Sequence, residues 1–195
     1  MKSRAEYGLW RSTFWQVMIV ALLAIAVSTW DLFTNVEHKD IIATLIRSHL
    51  SVLIPQSILL VLMMWQVLRY RAASVLIGIR HQSELVQKRL LIQNVAEVTV
   101  YFGLYYGIFF LSGNKIFVDG SVEIGLLLLL LRYFLMLVLA ILIVFAYRSQ
   151  HPGILGVLTL LISLGYHYWI EANYLLIMYS PLYDPLYRAI HHIYQ

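Results

Sequence analysis

The sequence predicts an all-α polytopic membrane protein: about five transmembrane helices in one membrane domain, with an N-terminal interfacial helix and a C-terminal amphipathic helix. Three observations carry this expectation. Of the 195 residues, 61% are hydrophobic and 12% charged, whereas a soluble domain carries roughly 45–50% and about 25%. The mean hydropathy is +0.77, so the chain holds more apolar surface than one compact core can hide. Apolar runs over residues 15–33, 50–68, 90–111, 124–147 and 154–174 each match the length of about 20 residues that crosses roughly 30 Å of hydrocarbon. The connectors between them are short, which leaves no room for a soluble domain.

Residues 1–13 combine Lys2, Arg4 and Arg11 with Tyr7, Leu9 and Trp10, the composition of a short helix lying in the headgroup layer. The same cations ahead of the first apolar run, with Ala24-Ile25-Ala26 inside it, also read as a signal peptide. The chain begins at Met1, so an uncleaved first span is expected. With the N-terminus inside, nine Lys and Arg fall on the inner segments and four on the outer ones. The positive-inside bias therefore favours a cytoplasmic N-terminus and an outer C-terminus, in a multi-pass protein of the cell membrane.

The net charge of +4 is spread along the chain, which gives nucleic-acid binding no support. Zero cysteines exclude disulfides, thiol nucleophiles and cysteine-based metal sites. A phosphate-binding loop needs G-x-x-x-x-G-K-[ST], and Gly113-Asn114-Lys115 offers only a fragment. No catalytic residue, metal site or cofactor is expected, and any ATP hydrolysis falls to a separate subunit.

The longest cytoplasmic connector, residues 69–89, sets Val75, Leu76 and Ile79 at helical spacing between Arg71 and Arg80. Such a helix either lies on the membrane surface or docks into a groove of a cytoplasmic partner. Gly78 costs about 1 kcal/mol relative to Ala and keeps the helix short or bent. Arg69-Tyr70-Arg71, the run Ser74-Val75-Leu76-Ile77-Gly78-Ile79-Arg80, and Lys88-Arg89-Leu90 opening a span with Tyr101, Tyr105 and Tyr106 form a recognisable series. With the basic N-terminal helix and paired spans, this order resembles the membrane subunits of type-2 ABC exporters. It is most similar in flavour to the small permeases of peptide and bacteriocin ABC systems in Gram-positive bacteria. The resemblance implies that Ser74 to Gln82 is a coupling helix, with Val75, Leu76, Ile79 and Arg80 receiving a cytoplasmic ATPase, and that a second membrane subunit, the same or a related chain, completes the transporter. The chain departs from that family in lacking a sixth span, because the tail after Tyr174 is too short and polar to cross again.

Ionisable residues inside spans are the default functional candidates, since each costs at least about 2.5–3.5 kcal/mol at the bilayer centre. Arg132 follows six leucines, Leu126 to Leu131, and lies about 12 Å from the outer end of its span at 1.5 Å per residue. Glu97 is the acid within the third span but sits nearer its inner end. Three arrangements stay open: a Glu97–Arg132 pair, snorkelling of Arg132 to the outer headgroups, or a polar cavity or intersubunit contact.

At the end of the fifth run His167 and Glu171 share a helical face at i and i+4, and with His191 and His192 they suggest a metal or acid–base site. The favoured reading is an interfacial aromatic belt of Tyr166, Tyr168, Trp169, Tyr174 and Tyr179, in which polar residues are routine. Asp184 before Pro185 is an N-cap and N1 pair, and Leu186, Ile190 and Ile193 follow at helical spacing. Three functions compete: a transport subunit exporting a peptide, lipid or hydrophobic compound; a non-catalytic accessory or assembly subunit; and, weakest, an intramembrane enzyme.

Overall fold

In hydrocarbon each backbone N–H and C=O must find its partner within the segment, so every apolar run here has to become a helix. The computed structural model describes residues 4–34, 40–42, 46, 49–73, 83–113 and 116–190. The long helices are α1 (Arg4–Thr34), α2 (His49–Ala72), α3 (Ser83–Leu111) and α4 (Val122–Phe145). The fifth span opens as α5 (Pro152–Gly165), changes to a π-helical stretch over Tyr166–Leu175 and closes as α6 (Leu176–Tyr179). A 3₁₀ turn (Pro181–Tyr183) leads into α7 (Pro185–Ile190). The protein is thus an all-α polytopic membrane protein, with five helices among the described residues long and apolar enough to cross a membrane.

Local chemistry sets the ends. Gly113 takes the positive φ of 76° that stops α3. The Ser121 hydroxyl accepts from the Ile124 N–H to start α4, and Pro152 stands in the first turn of α5, where no backbone donor is needed. Asp184 Oδ1 accepts the Leu186 N–H at 2.9 Å and opens α7.

Three sequence expectations change. No separate interfacial helix precedes the first span: α1 runs unbroken from Arg4, because residues 4–14 contain no helix breaker stronger than Gly8. Residues 69–89 are not one connector, since α2 continues to Ala72 and α3 starts at Ser83. The docking residues Val75, Leu76, Ile79 and Arg80 lie outside the described residues. The fifth span reaches Tyr179 rather than Tyr174.

α4 is the centre of the bundle, packing against α2, α3 and α5, while α1 packs chiefly along α3. Its leucine run divides by face: Leu128 and Leu129 are buried, and Leu126, Leu127, Leu130 and Leu131 point outward as a lipid-facing surface. Lipid tails are as apolar as leucine, so packing and interhelical hydrogen bonds do the joining. The Tyr105 hydroxyl donates to Asp31 at 2.9 Å and the Ser28 hydroxyl to the Tyr105 carbonyl at 3.1 Å, tying α1 to α3. Gln16 donates to the Leu62 carbonyl at 3.2 Å, and Asn94 to the Ala140 carbonyl at 3.4 Å. At one end of the bundle Arg71 donates to the carbonyls of Ala146 and Ser149. At the other, Asp40 accepts from the backbone N–H groups of Ile42, Val118 and Asp119 and from the Tyr179 hydroxyl. That carboxylate clasps three separate segments over the bundle.

Candidate functional site

Arg132 is 1% exposed and does not snorkel. Its Nε donates to Gln56 Oε1 at 2.7 Å and its Nη1 to Glu171 Oε2 at 3.1 Å, while the guanidinium carbon stands 5.6 Å from the Tyr166 ring centroid. The three partners come from α2 and the π-helical stretch, so the charge on α4 gathers the helices around it. Depth explains why Glu171, and not Glu97, is the counter-ion. Arg132 and Glu171 lie about 12–15 Å from the same end of the bundle at 1.5 Å per residue, measured from Val122 and Tyr179. Glu97 sits deeper, toward the other end, where Gln93 donates to its Oε1 at 3.0 Å. The Glu97–Arg132 pair is therefore not formed.

Glu171 carries a second interaction: His167 Nδ1 lies 2.6 Å from the same Oε2. Both side chains are fully buried. The sequence places these two residues on one face, but the expectation that they are polar members of an interfacial aromatic belt is corrected here, since both are buried in the bundle. Of the expected belt, Tyr168, Trp169 and Tyr174 are exposed and Tyr179 is buried, and His167 and Glu171 point away from the exposed rings, into the bundle. The π-helical stretch belongs to this arrangement: its ten residues, Tyr166–Leu175, hold both inward groups, and departures from α-geometry of this kind concentrate at functional positions.

The line continues outward. His167 Nε2 lies 2.7 Å from Nδ1 of His49, at the start of α2, and the two rings meet edge to face at 5.0 Å. His49 is exposed and also packs against Tyr168 at 5.3 Å. Partial desolvation, then the neighbouring His167, hold its pKa below the ordinary imidazole value of 6.5. Four side chains from three spans thus form one unbroken polar line from the edge of the bundle to Arg132. At its inner end Arg132 Nη2, Glu171 Oε1 and the Tyr166 hydroxyl are buried without a hydrogen-bond partner.

Sequence reasoning missed His49 and Gln56 altogether. Gln56 has a local signal: it follows Pro55, which lies inside α2 and removes a helical hydrogen bond in that turn. His49 has none, being one polar residue among several before a span. Among the described residues no group of three His, Asp or Glu side chains is placed to hold a metal, and His191 and His192 lie outside the described residues. A second, separate feature is a cleft of about 390 Å³ between α3 and α4, lined by Glu84, Lys88, Leu91, Phe145 and Arg148. No family model, curated protein or solved structure matches the chain, so the polar line is read from its own geometry.

Proposed function

We propose that this chain is the membrane-embedded permease subunit of a transporter in the cell membrane, exporting a peptide, lipid or hydrophobic compound with energy from a separate ATPase. The observation that supports it is the fully buried Arg132–Glu171 pair with Gln56 and His167 around it. Ionisable groups at matched depth inside a bundle are costly, and in membrane proteins they accompany substrate and ion pathways. A chain that only anchored a complex would not need them. The ATPase part of the reading rests on the sequence of residues 74–82 and its resemblance to a coupling helix. Val75, Leu76, Ile79 and Arg80 are the docking residues in this reading, the chain itself is non-enzymatic, and a second membrane subunit completes the pathway.

The alternative is a non-catalytic accessory or assembly subunit of a larger membrane complex, favoured by the odd number of spans. Purification from native membranes in gentle detergent separates the two. An ATPase that copurifies with the parent chain and is lost from a Leu76→Asp/Ile79→Asp variant supports the permease; a stable complex without an ATPase selects the accessory reading and rejects the first.

A further inference from the structure

We propose that His49, His167 and Glu171 form a proton relay that carries a proton from the edge of the bundle to the buried ion pair of Arg132. Donor and acceptor rules fix its direction. Arg132 has only donors, so in its pair with Glu171 the Oε2 oxygen is the acceptor, and the resting line is drawn with that oxygen as a carboxylate acceptor. The atom 2.6 Å away, His167 Nδ1, must therefore carry the hydrogen. In the neutral form of His167 used by the relay, one nitrogen donates and the other accepts, so with Nδ1 donating to Glu171 its Nε2 accepts from His49 Nδ1, 2.7 Å away. The remaining nitrogen of His49, Nε2, then bears a lone pair, and His49 is the exposed member of the line. Every donor points inward, as proton uptake from outside the bundle requires.

The transfer balances. An N–H bond forms at His49 Nε2 while the one at Nδ1 breaks. Its proton forms an N–H bond at His167 Nε2 while the one at His167 Nδ1 breaks, and that proton forms an O–H bond at Glu171. One proton has moved inward and Glu171 is neutral. The groups facing the path are Gln56 of α2, Tyr106 of α3, Arg132 of α4, and Tyr166 and Tyr168 of the π-helical stretch. Tyr101, whose phenol feels the charges of both Arg132 and Asp31, completes the surroundings. Arg132 is the one cation among these groups, and neutralising Glu171 strips it of its counter-ion. The lowered pKa of His49 supports the scheme, because a weakly basic first station passes a proton on instead of storing it. The relay would operate in either role discussed above, and its test uses the isolated chain.

The experiment is an infrared pH jump on the purified protein in lipid bilayers. Acidification should produce a carboxylic-acid C=O band that is missing from Glu171→Gln. In His49→Phe the band should form about a hundredfold more slowly, the scale of a lost proton-transfer group, and added imidazole should restore the rate. Rescue by imidazole identifies proton transfer, because a folding defect would not respond to it. Since Glu171→Gln removes a charge beside Arg132, the Arg132→Met/Glu171→Gln pair keeps that arm interpretable. A band that persists in both Gln variants, a His49→Phe rate equal to the parent's, or no carboxyl protonation on acidification would each overturn the relay.

Discussion

Arg132 illustrates how a single residue can organise a small membrane bundle. Its partners leave Glu171 dependent on it, and breaking a buried pair by removing one member costs about 3–5 kcal/mol, because an uncompensated charge stays behind. Arg132→Leu should therefore lower thermal stability in detergent by that order, and Arg132→Lys should recover only part of it, since an ammonium cannot span Gln56 and Glu171 as the planar guanidinium does. Replacing both charges, Arg132→Met with Glu171→Met, should lie much closer to the parent. A Leu variant as stable as the parent would show that the pair does not hold the fold. The sequence made Arg132 legible as a candidate because six leucines isolate it, but not its partner. Glu171 sits among tyrosines and a tryptophan, which read as an interface, and only the further apolar residues Leu175 to Met178 place it inside the span.

The individual helices follow from length and apolarity, and the first, second and fourth spans begin and end within four residues of the runs that predict them, while the third begins at Ser83, seven residues before its run. The fifth runs five residues past its predicted end, to Tyr179, for the reason that hid Glu171: polar and aromatic residues inside a span resemble its boundary. Nothing in the sequence marked the closure at that end, where Gly120 approaches the backbone of Tyr179. A Cβ on Gly120 would stand 2.1 Å from the Tyr179 carbonyl oxygen, and main chain cannot rotate aside as a side chain does. Gly120→Ala should therefore destabilise by about 1–3 kcal/mol, the usual cost of overpacking. Gly103 and Gly107 supply the control. Both lie within α3 with nothing within 4 Å of an added Cβ, so alanine there should be neutral or raise stability by about 0.5–1 kcal/mol through helix propensity. Thermal unfolding of the three variants in one detergent tests both signs, and equal effects at the three positions would contradict the account of the closure.

At the scale of the whole molecule, the two ends of a membrane-spanning bundle face opposite sides, and a chain that crosses five times has its termini on opposite sides. His49, Asp40, the 116–120 segment and Tyr179 gather at one end, and Arg71, Lys88 and Arg148 mark the other. The uneven distribution of cations predicts that the second end is the cytoplasmic one. This orientation decides which solution feeds His49, since a reversed bundle would draw protons from the cytoplasm. Reporter fusions after Gln82 and at Gln195 should therefore report opposite compartments, the first cytoplasmic. Moving cations tests the cause as well as the outcome. Replacing Arg69, Arg71, Lys88 and Arg89 by Gln removes four of the nine inner charges and should produce a mixed or inverted population, because orientation follows the Lys and Arg near the span ends. Arg71 also holds the carbonyls of Ala146 and Ser149, so a set that keeps Arg71 separates lost orientation from a lost contact. Fusions that both report the cytoplasm would mean that one of the five helices does not cross, and the fifth, whose π-helical stretch carries His167 and Glu171, would be the first to re-examine.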